Sequence, residues 1–173
     1  SRGGNRYDRL FLEGFIRPGP DLGNWASRAG LSALGIVPTG PAEMSLYKQA
    51  HYAQDDCQLI RYTLRTDGFV SVNAPFAGGE MVTRQFRFAG RELIINFATG
   101  AAGGVRIEIQ DASGNALPGY ALGDSVEQVG DEIERRARWK GGADVGALAG
   151  QVIRLVPAQS YGTTGITIST GRQ

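Results

Sequence analysis

The sequence predicts an all-β chain: an antiparallel, jelly-roll-like β-sandwich over 56–173, preceded by a shorter β-rich segment over 1–55. Three observations carry this prediction. Apolar residues recur at every second position in run after run, turn signals built on glycine separate the runs, and no stretch longer than about ten residues repeats with a helical period. An antiparallel sheet with one apolar face needs a second sheet to cover it. A sandwich of about seven to nine strands is the natural closure.

Segment 1–55 is punctuated by Arg17-Pro18-Gly19-Pro20 and Val37-Pro38-Thr39-Gly40-Pro41. Its strand candidates are 10–16, 34–37 and Glu43–Ala50. So few short strands do not bury a core alone, so this segment is expected to lean on the sandwich or on something outside the chain. The sandwich opens with Gln58–Arg65, where Ile60, Tyr62 and Leu64 share a face. Asp67-Gly68 then reads as a tight hairpin turn into 68–73, with Val70 and Val72 on one side. Strands follow at 82–88, at 93–97 and at 104–110, the last with Val105, Ile107 and Ile109 on one face and Arg106, Glu108 and Gln110 on the other. A further strand is read at 133–139, with Ile133, Ala137 and Trp139 inward. Ala89-Gly90 and Ser113-Gly114-Asn115 are turn signals, so consecutive strands are expected to pair antiparallel. Single helical turns are expected at 124–129 and 145–149.

Composition narrows the chemistry. The 173 residues include 26 Gly and 7 Pro, and Lys+Arg 18 against Asp+Glu 17 leave a net charge of +1. Interspersed charges of both signs give no basic stripe for phosphate backbones, so nucleic acid is not expected as a partner. One cysteine, Cys57, forms no intrachain disulfide, and one histidine beside it leaves too few soft ligands for zinc. No apolar run reaches the roughly 18 residues that span a bilayer, so a soluble chain without a membrane partner is expected. The start SRGGNRYDRL has neither a methionine nor an apolar signal core and reads as internal to a longer frame. A single cysteine permits a secreted or periplasmic setting without arguing for it, and the compartment stays open.

Few motifs carry chemistry. The run Gly100-Ala101-Ala102-Gly103-Gly104 is followed by a strand, not the helix that a phosphate-binding loop needs, and reads as a hairpin connection. His51 lacks a nucleophile in a recognisable motif and reads as a lone exposed histidine. Asp124, Glu127, Asp131, Glu132 and Glu134 crowd together, and a carboxylate pair is what glycoside hydrolysis uses. Arg135, Arg136, Arg138 and Lys140 follow at once, so a solvated, charge-paired face competes with that reading. The spacing of a calcium loop is absent. Aromatic rings stack on sugar faces, and two tryptophans are available. Trp25 sits in a loop with Arg17, Asp21 and Asn24, open between binding and packing. Trp139, beside Lys140-Gly141-Gly142, reads first as packing and second as a stacking face.

The runs Phe15-Ile16-Arg17-Pro18-Gly19, Gly23-Asn24-Trp25, Val37-Pro38-Thr39-Gly40 and Glu43-Met44-Ser45-Leu46-Tyr47 resemble the last blade of the five-bladed propeller in bacterial glycoside hydrolase family 32-like proteins. Arg61-Tyr62-Thr63-Leu64-Arg65, Asp67-Gly68-Phe69-Val70-Ser71-Val72, Gly78-Gly79-Glu80, Ala98-Thr99 and Val105-Arg106-Ile107-Glu108-Ile109-Gln110-Asp111 resemble the β-sandwich appended to it. Gly130-Asp131-Glu132-Ile133-Glu134-Arg135 and Trp139-Lys140-Gly141-Gly142 extend the likeness, which covers about 7–156. The resemblance implies a propeller-blade-like segment at 1–55. It also implies a non-catalytic, carbohydrate-related accessory role beside a propeller outside this chain. That family's acid and nucleophile lie in earlier blades, so no catalytic residue, metal or cofactor carries over. Arg17, Asp21, Asn24 and Trp25 would neighbour the active site, and with Trp139 they are the carbohydrate-binding candidates. The tail 160–173 departs from the aromatic closing strand the likeness would require. A glycosidase using the 124–134 carboxylates and a ligand-free structural module remain the alternatives.

Overall fold

The computed structural model describes residues 12–26, 30–160 and 166–169, with Ser160 and 166–169 described by backbone alone. It is all-β, with antiparallel sheets and, among the described residues, only two short 3-10 turns, Leu22–Trp25 and Gly146–Leu148. No helix among the described residues is long and apolar enough to cross a membrane. The chain divides into two compact units, Ser1–Thr66 and Asp67–Gln173.

The first unit is one sheet in the order β1-β2-β3, formed by β1 (Val37–Gly40), β2 (Glu43–Ala50) and β3 (Gln58–Arg65). β3, assigned from sequence to the domain that follows, ladders along the whole of β2, from Glu43 opposite Arg65 to Ala50 opposite Gln58. It therefore belongs to the first unit. β1 starts where the 34–37 candidate ends and runs through Pro38, which an edge strand tolerates because its missing donor costs no ladder bond. The 10–16 candidate is not a strand over residues 12–16, and residues 10 and 11 lie outside the described residues. This unit has little core. Among the described residues Leu46 and Ala50 are its buried hydrophobics, whereas Leu12, Phe15, Leu22 and Leu34 are exposed.

The second unit holds two three-stranded sheets. One runs β4-β8-β6, from β4 (Gly79–Glu80), β8 (Ile153–Ser160) and β6 (Gly104–Asp111). The other runs β7-β5-β9, from β7 (Asp131–Arg136), β5 (Ile94–Ala98) and β9 (Ile166–Ser169). Ile95 and Phe97 of β5 join Val105, Ile107 and Ile109 of β6 and Ile153 and Leu155 of β8 in one buried cluster. Each of these side chains is at most 2% exposed, as period-2 alternation on strands with one apolar face requires. At about 25 cal/mol per Å² of apolar surface removed from water, such side chains contribute roughly 1.5–3 kcal/mol apiece before chain entropy is set against them.

Pairing in this unit skips neighbours in sequence, contrary to the expected run of hairpins. β5 and β6 are consecutive yet lie in different sheets, so the glycine-rich 100–104 run links sheets and is not a hairpin turn. Residues 68–73 form no strand, and Val70 and Val72 are exposed. The positive φ expected of the glycine in this turn falls on Asp67 and not on Gly68. Residues 82–88 follow β8 irregularly. Thr83 and Phe86 donate to Leu155 and Ile153, but Leu155 N–H donates to the Thr83 hydroxyl, which takes the place of a backbone carbonyl and breaks the ladder. The stretch 124–129 is no helical turn. Ser125 and Gln128 bridge to Trp139 and Val105.

β8 is unanticipated because Pro157 sits inside it, between two partners. The position is tolerated for a geometric reason. The Pro157 carbonyl accepts from Met81, so the donor that Pro157 lacks would also point toward the two-residue β4 and not toward β6. The tail contributes β9, whose backbone pairs with β5 from Ile94 opposite Ser169 to Phe97 opposite Ile166, while 161–165 and 170–173 lie outside the described residues.

Candidate functional site

Four of the five carbohydrate-binding candidates share one loop of the first unit. Two prolines stiffen 17–20, and Gly19 between them takes φ +83, a conformation that L side chains rarely adopt. The chain then turns through the 3-10 segment Leu22–Trp25, capped by the Asp21 carboxylate, which accepts from Gly23 N–H at 2.9 Å. Trp25 closes the loop by donating its indole N–H to the Gly19 carbonyl at 2.8 Å, while its ring stays 47% exposed. Arg17 is exposed and paired with Glu13 at 2.7 Å.

The loop is fastened to the 51–57 turn between β2 and β3. His51 takes φ +51 at the end of β2, and its ring lies between two carboxylates. Nε2 is 2.8 Å from Asp21 and Nδ1 2.6 Å from Asp56. The His51 backbone N–H donates to the Asn24 side-chain oxygen at 3.2 Å, and the Gln54 amide donates to the Gly23 carbonyl at 2.5 Å. The ring packs so closely on Gly23 that a Cβ there would sit 2.9 Å from it. The His51 side chain is 12% exposed, which corrects the reading of a lone exposed histidine.

The electrostatics follow from these contacts. The hydrogen bond to Asp21, then that to Asp56, each accepted by the carboxylate, holds the imidazole above its ordinary pKa of 6.5 against a smaller opposing cost of desolvation. The Gly23 amide, and after it His51, holds Asp21 below the usual carboxylate value. With both ring nitrogens occupied by carboxylates, His51 offers no nitrogen to a substrate proton, so the arrangement is a clasp and not a base awaiting a nucleophile. Nothing in the sequence pairs these residues, since Asp21 and His51 are 30 positions apart.

Trp139 is corrected. It is 3% exposed in the second unit, its indole N–H donates to the Ile107 carbonyl at 2.8 Å, and its ring meets Tyr120 edge to face at 5.2 Å. No face remains for a sugar. The crowded carboxylates are tied to cations: Asp124 to Lys140 at 4.0 Å, Glu127 to Arg106 at 3.7 Å and Glu132 to Arg135 at 2.7 Å. Asp131 and Glu132, consecutive on β7, project to opposite faces. Among the described residues, no three His, Cys, Asp or Glu side chains cluster as metal ligands. Comparison with family models, curated proteins and solved structures gives no match to this chain.

Proposed function

We propose that the chain is a non-catalytic, carbohydrate-related accessory module of a glycoside-hydrolase-like protein, with the loop of Arg17, Asp21, Asn24 and Trp25 as its glycan-contacting surface. The observation that carries this reading is the half-exposed Trp25 ring, held in place by its own indole bond to Gly19. An aromatic face fixed before binding loses little entropy on meeting a sugar, and the polar groups around it suit hydroxyls. In this reading the second unit is a jelly-roll-like β-sandwich, supported by the single core that its two sheets share. The first unit is a propeller-blade-like piece packing on a propeller outside this chain, supported by its scant core and exposed apolar side chains. A glycosidase built on 124–134 is disfavoured by the cations that already engage Asp124, Glu127 and Glu132. Isothermal calorimetry against fructans, sucrose and plant and bacterial polysaccharides tests the proposal. Heat that disappears in Trp25→Ala supports it, and a panel silent with the unaltered protein removes the glycan contact.

A second reading, a ligand-free module that assembles through its sheet edge, is favoured by exposed Leu34, Ile36 and Val37 at and before β1. Sedimentation velocity separates the two, because a strictly monomeric chain counts against assembly.

A further inference from the structure

We propose that His51 is a pH-dependent latch, fastening the loop that carries Trp25 to the β2–β3 turn when protonated and loosening it when neutral. This does not rest on the glycan reading. Imidazolium has two N–H donors, and here each meets a carboxylate, Asp21 from the loop and Asp56 from the turn. Neutral imidazole has one donor and one lone pair, and carboxylates only accept. Losing the proton therefore leaves one of the two aspartates facing a lone pair. The Asp56 contact is the shorter, 2.6 Å against 2.8 Å, and closes within the turn, so the latch assigns the remaining N–H to Asp56. Asp21 then loses its imidazole donor, and among the described residues its carboxylate keeps only the bond from Gly23 N–H in its own loop.

The charged and titratable groups of both packed segments can be named. The loop supplies Arg17, engaged with Glu13, and Asp21. The turn supplies Tyr52, Asp55, Asp56 and Cys57. Of these, Asp21 and Asp56 are the two bonded to the ring. Two uncharged links, His51 N–H to Asn24 and Gln54 to Gly23, do not titrate. The expected response is thus a loosening at the Asp21 end and not full release.

The sign is fixed by the direction of the shift. With its pKa raised above 6.5, His51 contributes its full hold below that value and loses it as pH rises through the higher folded value. His51 is the sole histidine and Trp139 is buried, so both probes report cleanly. Ring-proton NMR of the full chain, titrated from about pH 5 to pH 9 across the ordinary histidine range, reads the His51 midpoint. Acrylamide quenching over the same range reads Trp25. The latch predicts a His51 midpoint above 6.5 and Trp25 quenching that rises across that same titration. It also predicts a midpoint moved down toward 6.5 in Asp21→Asn, and pH-independent quenching in His51→Gln. A midpoint at or below 6.5, flat Trp25 quenching through the His51 titration, or an Asp21→Asn midpoint that stays in place would each overturn it. Asp21→Asn keeps the ring, so it decides the matter even where His51→Gln does not fold.

Discussion

Trp139 donates its indole N–H to the carbonyl of Ile107, 2.8 Å away in the interior of the second unit. Three residues on that side of β6 find partners for their backbone groups outside its sheet: Val105 exchanges bonds with Gln128, Ile107 N–H donates to the Ser125 hydroxyl, and Ile109 donates to the Tyr120 carbonyl and accepts from Leu117 N–H. The tryptophan completes this set at the middle of the strand. A side chain that fills volume and satisfies a buried carbonyl at once is hard to replace.

Trp139→Phe is therefore expected to cost about 1–3 kcal/mol, since it leaves the Ile107 carbonyl without its partner. Trp139→Ala is expected to cost about 3–5 kcal/mol through the added cavity beside Tyr120. Urea unfolding monitored by far-UV circular dichroism measures both, and equal costs for the two variants would mean that the ring's volume adds nothing beyond the indole hydrogen bond.

Gln128 is 3% exposed, and neither the nitrogen nor the oxygen of its side-chain carboxamide has a partner among the described residues. Replacing it by Leu, of similar length and without polar atoms, is expected to stabilise the second unit by roughly 1 kcal/mol. The midpoint of chemical denaturation should rise, and a fall would mean that the carboxamide is satisfied in solution.

Two glycines separate backbone strain from side-chain crowding. Gly114 has φ +91 in the turn after β6, so Gly114→Ala is expected to cost about 1 kcal/mol or more whatever room Arg154 makes. Gly104 has no such φ, and its added Cβ would meet the flexible end of Glu127. Gly104→Ala should cost less than about 1 kcal/mol, chiefly through the exposed Glu127–Arg106 pair. Denaturant midpoints of the two variants, measured side by side, check the order.

Acid sensitivity in the second unit should trace partly to Asp144 and Asp111. The Arg91 guanidinium, then the Gly146 amide, holds Asp144 below 3.8, and the Asn115 amide leads the groups that do the same for Asp111. A lowered folded pKa contributes stability that is present above the ordinary value and lost as pH falls through the folded one. Thermal unfolding should be level with respect to these two groups at neutral pH and decline below about pH 4. Asp144→Asn should flatten part of that decline, and a variant with the unaltered acid profile would exclude Asp144 as a contributor.

Much of the strand content was legible because it follows from side-chain alternation alone. β2 and β3 match their expected bounds, and β6 exceeds its own by Asp111. Pairing was not legible, because period 2 says which side chains share a face and not which strand lies alongside. β5 and β6 alternate alike yet belong to different sheets and share one buried cluster. Pro157 concealed β8, since whether its missing donor matters depends on a neighbour the sequence does not identify. The loop of Trp25 stood out by its composition. The clasp behind it did not, because a histidine gives no sign of which distant carboxylates will flank it.

The strand order also bears on how a growing polypeptide reaches its native state. β8 occupies the middle of one sheet and β9 an edge of the other, so neither sheet is complete until the last third of the second unit has left the ribosome. Until then β4 and β6 have no common neighbour to join. Long-range pairing of this kind is slow, so folding of the second unit is expected to lag behind synthesis of β4 to β7 and to finish only once β8 and β9 are available.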